Sequence, residues 1–293
     1  MAGNCCNTVN TGGVKPKVNR NFMAQISGKV DGVQTKKTQD AIEKYFPGSM
    51  KGRIVEAKVY EALSKLGFND DNTLYGDCTC PDEINHNDPG ADITSLFMHR
   101  WGEIFPLSGL AGLPFCGRTG WGAFSSHVPQ DGNILVLYAP HVGVDYHGNV
   151  GKIHREGIDN FTTACGAAVG AYNAVLKDKK EAQFQSGYID HQMDAIKHLV
   201  AERAHKIKGT KNEMATLAYQ MFEIVDKFLN EIINMNWASS NGKLALVGGI
   251  MINCDGERTD MFLPLKFDLV HKSGRRDELF KSTFGKDPYR CSS

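Results

Sequence analysis

The sequence predicts an α/β fold, and three observations carry that reading. The run Asn133-Ile-Leu-Val-Leu-Tyr is continuously apolar after its first residue. Such a run suits a strand buried on both faces, as in a parallel sheet. Residues 186–208 and 211–236 carry apolar side chains at helical spacing, with Leu217, Met221, Ile224, Val225, Phe228 and Ile232 forming the stripe of the second. Strand-like and helix-like segments alternate along the chain, which places helices over a sheet.

The elements follow in order. Residues 1–36 are rich in Asn, Gly, Lys and Thr and read as a loosely held arm. Residues 37–293 are expected to form a single domain. Thr38-Gln-Asp-Ala-Ile-Glu-Lys-Tyr-Phe reads as a short helix stopped by Pro47-Gly48. Ile54, Val55, Val59, Tyr60, Leu63 and Leu66 give a second helix, with Gly67 as its stop. Asn72 to Cys80 reads as a strand running into a loop, and Asp92 to Trp101 as a helix. The glycine-rich stretch Leu107 to Gly122 predicts turns and close backbone approach. Val144 to Asn160 is polar and reads as a hairpin or loop. Thr162-Thr163 is then expected to cap a helix that starts near Ala164. Lys243 to Asn253 and Asp260 to Val270 are strand-like and joined by Asp255-Gly256-Glu257-Arg258, a hairpin signal.

Composition excludes several function classes. The 293 residues hold 33 Lys plus Arg and 33 Asp plus Glu, so the chain carries no basic footprint for nucleic acid. The longest apolar runs are far too short to span a membrane. The N-terminus has neither the apolar core of a signal peptide nor the Arg/Ser-rich pattern of a transit helix. Eight cysteines spread over a chain of this size predict reduced thiols, some of them metal ligands, in an intracellular compartment.

Three segments concentrate metal-binding chemistry. Cys78-Thr-Cys80-Pro-Asp82-Glu83 lies at a strand end. Ile134-Leu-Val-Leu-Tyr-Ala-Pro-His141 puts an imidazole where a buried strand stops. Ala164-Cys165-Gly166-Ala167 puts a thiol at a helix start. In parallel sheets the strand C-termini and helix N-termini share one edge, where ligands bind. Two thiolates and an imidazole suit Zn²⁺, and three protein ligands with one open position are the catalytic pattern. Cys78 is a rival to Cys80, which is preferred because it alone places an aspartate two residues on.

The order Cys80-x-Asp82, a buried strand ending in His141, then Cys165-Gly166-Ala167 resembles the β-carbonic anhydrases. Two features depart from their pattern. Twenty-three residues separate His141 from Cys165 instead of two, and Ile84 stands where an arginine follows Cys-x-Asp. Both departures, together with the phrases GLPFCGRTGWGAFSSHVPQDGN, APHVG and TTACGAAVGAY, resemble the limiting-CO₂-inducible protein B/C family over roughly residues 50–270. The resemblance implies a mixed sheet, parallel at its centre and flanked by helices. It implies a homodimer and zinc held by Cys80, His141 and Cys165. The implied activity is reversible hydration of CO₂ to bicarbonate by water that the metal activates. The implied setting is a CO₂-concentrating mechanism, in a chloroplast stroma or pyrenoid periphery if the source is algal and in the cytoplasm if it is bacterial. A zinc-holding scaffold or CO₂/bicarbonate-responsive protein without turnover is the alternative, and a thiol redox protein using Cys78 and Cys80 ranks last.

In β-carbonic anhydrases the aspartate pairs with an arginine, so a replacement for the missing one is expected. Arg118, in the glycine-rich stretch, is the first choice and Arg100 the second; Asp82 and Arg118 are therefore the expected catalytic pair. His127 is a candidate pocket residue or proton shuttle. His191, His198 and His205 recur every seven residues and read as one helix face. Cys5-Cys6 lies in the arm.

Overall fold

The computed structural model describes residues 32–86, 88, 90–177, 187–287 and 289. At its centre is the apolar run met in the sequence, now strand β4 (Asn133–Ala139), in which every residue is buried. It pairs in parallel with β2 (Thr73–Thr79) on one side and with β8 (Lys243–Cys254) on the other. The pleat sends Ile134, Val136 and Tyr138 into one core and Leu135, Leu137 and Ala139 into another. That is why the run shows no polar alternation: both faces of the strand are covered.

The sheet runs β1 (Met50–Lys51), β9 (Met261–His271), β8, β4, β2 and β3 (Phe105–Pro106). β5 (His141–Val144) extends the parallel part along β8, whereas β1 and β10 (Arg276–Glu278) pair antiparallel with β9. The sheet is mixed and parallel at its centre, as expected. Lys243 to His271 forms the antiparallel β8–β9 hairpin that the Asp-Gly signal announced.

Helices cover both faces. One face packs against α1 (Lys36–Tyr45), α4 (Gly117–Ser125), α5 (Gly166–Lys177), α6 (His191–Ile207) and α7 (Glu213–Ile232). The other packs against α2 (Gly52–Ser64), α3 (Ile93–Trp101) and the short α8 (Phe280–Phe284). Several starts follow local chemistry. The Thr35 hydroxyl caps α1 and Asp92 caps α3, each side chain accepting a backbone N–H of the first turn. Gly67, with φ of 89°, sits in the left-handed region just past α2.

Two expectations are corrected. The glycine-rich stretch is not all turns: α4 forms across its end because Trp121 and Phe124, three apart, bury completely and override the poor propensity of three glycines. Thr162-Thr163 does not cap a helix. It forms β7 (Thr162–Thr163), paired antiparallel with β6 (Lys152–Ile153), and α5 begins at Gly166. Most of the predicted arm, Cys5, Cys6, Cys291 and the first residue of the 186–208 segment lie outside the described residues. The arm's last residues are held, with Gln34 donating to the Thr259 carbonyl at 2.6 Å.

Because β4 is enclosed on both faces, a truncation there leaves a hole that its neighbours fill poorly. Leu137→Ala should cost about 3 kcal/mol of unfolding free energy, read as a lower denaturation midpoint at unchanged denaturant sensitivity.

Candidate metal centre

β2 and β4 run in register from Thr73–Asn133 to Thr79–Ala139 and end level with each other. Cys80 follows the last residue of β2. Pro140 follows the last residue of β4, and the chain continues along β8 in the same register, with His141 opposite Met251. Cys165 immediately precedes α5. The Sγ atoms of Cys80 and Cys165 lie 3.8 Å apart. Together with a His141 ring nitrogen they form a group whose ligand atoms all fall within 4.8 Å of one another, the only such group of three or more among the described residues. All three residues are buried. Cys78 stays outside the group: it donates to the Gly112 carbonyl at 3.3 Å within the core.

The donor set fits a metal. Two sulfurs at ~2.3 Å from one tetrahedral zinc stand about 3.8 Å apart, which is the spacing here. The imidazole of His141 is fully inaccessible. Its Nδ1 lies 2.9 Å from Asn253 Oδ1, whereas its buried Nε2 has no hydrogen-bond partner among the described residues. A buried ring nitrogen without a partner is costly. A metal ligand whose other nitrogen donates to an amide oxygen removes that cost and fixes the tautomer.

The electrostatics divide the two thiols. Cys165 accepts a hydrogen bond from Cys80 and others from the backbone N–H groups of Ala167 and Ala168, which together outweigh burial and hold its pKa down. Cys80 is pushed up by the bond to Cys165 and by burial, despite His141. The two shifts are opposite: of the pair, Cys165 at the helix start is the readier to lose its proton.

Asp82 caps the short turn Glu83–Asn85, and its Oδ2 stands 3.7 Å from His141 Nε2. Its arginine is Arg155. Nη1 donates to Oδ1 and Nη2 to Oδ2, both at 2.9 Å, a two-pronged contact between side chains that are each 14% exposed. Arg155 Nε donates to Thr162 Oγ1 at 2.9 Å, and Nη1 also meets Glu83. The guanidinium is thus held from three sides. Burial alone would raise the Asp82 carboxyl; the Arg155 hydrogen bonds and the neighbouring His141 overcome it and keep the pKa low.

Arg118 does not fill this role. It projects outward from α4 and donates to the Glu231 carbonyl at 3.4 Å. Arg100 is committed to Glu56 at 2.6 Å and lies over the Tyr60 ring. His127 is exposed and stacks edge-on against Phe105. His191, His198 and His205 are exposed on α6, as a helix face would be. Arg155 was missed because it sits in the polar stretch between β5 and α5. A signal was present: it is the only arginine between His141 and Cys165, and an insertion joining two neighbouring groups must fold back beside them.

This architecture recurs in known proteins. A family model described as limiting CO₂-inducible proteins B/C beta carbonic anhydrases matches residues 49–271. The protein belongs to this family. The crystal structure of PtLCIB4, a homolog of the limiting CO₂-inducible protein LCIB, superposes with a TM-score of 0.76 at 30% identity, covering 82% of this chain and 99% of that one. The structure of a histidine-to-alanine mutant of PtLCIB4 gives the same TM-score and identity, covering 83% and 98%. The structure of LCIB itself shares the fold, with a TM-score of 0.61 at 21% identity over 80% of this chain and 95% of that one. No curated protein matches the chain.

The ion pair has a measurable consequence. In Arg155→Ala the burial of Asp82 loses its main opponent, so the carboxyl pKa should rise above its ordinary value, followed by carbon NMR titration of the metal-free protein. The sign for stability follows. With Arg155 present, the pair stabilises the fold above the unfolded carboxyl pKa of about 3.9 and loses that contribution as pH falls through the lower folded value. The variant should lose the same acid-dependent part.

Proposed function

We propose that this protein is a zinc-dependent carbonic anhydrase, interconverting CO₂ and bicarbonate at the Cys80–His141–Cys165 centre. The observation that carries the reading is the two-pronged Asp82–Arg155 contact beside a buried Cys-His-Cys group. Zinc in that group would supply Lewis-acid activation of water at neutral pH, where free water is a poor nucleophile.

The rest is done by the chain's own residues. Cys80 and Cys165 supply two negative sulfurs and His141 a neutral nitrogen, so the centre is close to charge balance with a divalent ion. Asp82 is near enough to His141 Nε2, at 3.7 Å, to compete for the same ion. Arg155 takes both of its oxygens and holds it beside the centre as an acceptor. A carboxylate so held accepts a proton-bearing oxygen and orients it, and it stays ionised because its pKa is kept low. Ile84, Ile153 and Ala164, each within two residues of Asp82, Arg155 or Cys165, form a small apolar cluster, and apolar surface near the centre suits CO₂, which carries no charge. The family resemblance adds a homodimer and a role in CO₂ concentration to the proposal. Sedimentation at micromolar concentration tests the first of these.

The deciding experiment measures zinc content and stopped-flow CO₂ hydration together. The parent should hold one zinc per chain and turn over. Arg155→Ala should keep the zinc and lose at least about 100-fold in rate, the scale of a lost oriented charge contact. Arg155→Lys should lose most of the rate as well, since an ammonium lacks the planar fork. Arg118→Ala should stay within about twofold of the parent. Zinc without hydration in the parent would replace this reading with a silent zinc-holding protein, and full activity in Arg155→Ala would dismiss the dyad.

A further inference from the structure

Behind His141 a second layer of side chains has no assigned role. Asn253, near the end of β8, presents Oδ1 to His141 Nδ1 at 2.9 Å. Its Nδ2 donates to Asn85 Oδ1 and to Asp260 Oδ2, both at 3.1 Å. Asn85 is itself oriented, because its Nδ2 donates to the Cys80 carbonyl at 3.0 Å. The other oxygen of Asp260 accepts the Cys254 backbone N–H at 2.8 Å. Flipping the Asn253 amide would set its oxygen against two acceptors, Asn85 Oδ1 and Asp260 Oδ2, and its NH₂ against the imidazole. The network therefore admits one orientation of Asn253.

We propose that Asp260 is a positioning residue for the metal centre: it shares the NH₂ of Asn253 with Asn85 Oδ1 and the Ile84 carbonyl, and completes the set of acceptors that turns the amide oxygen onto His141 Nδ1, which keeps the proton there and leaves Nε2 free as a ligand. The inference rests on the metal reading of the Cys80–His141–Cys165 group, but the tautomer itself is a property of the metal-free chain.

The placement of Asp260 argues against a role in holding the fold together. It lines a cavity of about 10 Å³ together with Asp92, Asn85 and Asn253, and Asp92 Oδ2 is buried there without a partner. Asp92 Oδ1, by contrast, serves Thr94 and Ser95 at the start of α3. Two carboxylates thus face one small space. Burial pushes Asp260 up to about 7 against the pull of its two hydrogen bonds, and the charges of Asp92 and Asp88 add to the rise. A buried carboxylate beside another is a burden on stability. Its retention suits a task that an amide would do wrongly.

That difference supplies the test. In Asp260→Asn the new amide must keep its oxygen toward the Cys254 N–H and so turns its NH₂ to Asn253. The NH₂ of Asn253 then meets a second NH₂ while Asn85 Oδ1 still accepts from it, so neither orientation is fully satisfied; in the flipped fraction its NH₂ faces His141 and the ring proton moves to Nε2. Nitrogen NMR of the metal-free full chain, labelled in histidine, should show Nδ1–H in the parent and a mixture with a substantial Nε2–H population in the variant. Zinc affinity by chelator competition should fall about 10- to 100-fold, the usual effect of losing a partner of a ligating histidine. The thermal midpoint of the metal-free variant should be equal to the parent's or higher, which loss of a structural residue would not give. Asp92→Asn relieves the same repulsion and keeps the helix cap; it should hold the parent tautomer, with affinity within about threefold. Asp260→Ser, too short to reach Asn253, is the second variant and should mix the two tautomers. If both Asp260 variants keep Nδ1–H, the positioning role is wrong, whatever the zinc result. If the parent binds no zinc while the tautomers shift as described, the metal reading falls and the relay stands.

Discussion

The parallel register of β2 with β4 is the constraint on which the rest of the site depends. Thr79 pairs with Ala139, so the two strands stop at one level. Cys80 and the Pro140-His141 step leave the sheet from the same edge, and the start of α5 returns Cys165 to it. Backbone hydrogen bonding, enforced by apolar cores on both faces, thereby decides where three polar side chains meet. None of them has to search for the others.

Their burial then sets a second requirement, because every desolvated polar atom needs a partner. Cys165 finds backbone N–H groups at a helix start, and Cys80 finds Cys165. His141 Nδ1 finds Asn253, while Nε2 finds no hydrogen-bond partner among the described residues. Asp82, half drawn into the same space, is satisfied by Arg155. One nitrogen in an otherwise satisfied cluster, flanked by two sulfurs, is a donor set that fits a cation. The same accounting separates this place from the charged cluster of Asp226, Lys266 and Tyr138. There every acid oxygen and the ammonium are matched within the fold.

How much could be read beforehand follows from which contacts are local. Cys80, His141 and Cys165 were legible because each sits where a strand stops or a helix starts, and such ends are written in apolar runs and their breaks. The layering was legible too, since an unbroken apolar strand implies cover on both faces. Arg155 was not legible by the same means. It belongs to a two-stranded hairpin whose pairing is only two residues deep, too short for any alternation to show. Arg118 was attractive because glycines suggested a loop near the ligands. The bulk of Trp121 and Phe124 instead wound that loop's end into a helix and turned the arginine outward. Asn253 and Asp260 were invisible for another reason: both lie at strand ends that look ordinary until the long-range pairing of β5 with β8 is known.

The twenty-three residues between His141 and Cys165 then take on a meaning. In the pattern this chain resembles, the arginine follows the aspartate along the chain and two residues separate the last ligands. Here Ile84 holds the arginine's place, and the lengthened connection carries Arg155. The same connection closes on β5, where the Gly143 N–H donates to the Ala164 carbonyl at 2.9 Å and its carbonyl accepts from Gly151 at 2.8 Å. A Cβ on Gly143 would fall 2.6 Å from the Lys152 carbonyl, so that close approach admits glycine alone. The residue before Cys165 and the hairpin that delivers Arg155 are thus fastened to one backbone position beside His141. Insertion and substitution are two halves of one arrangement: moving the arginine off the Cys80 loop is tolerable only because the added chain brings another back to the same carboxylate.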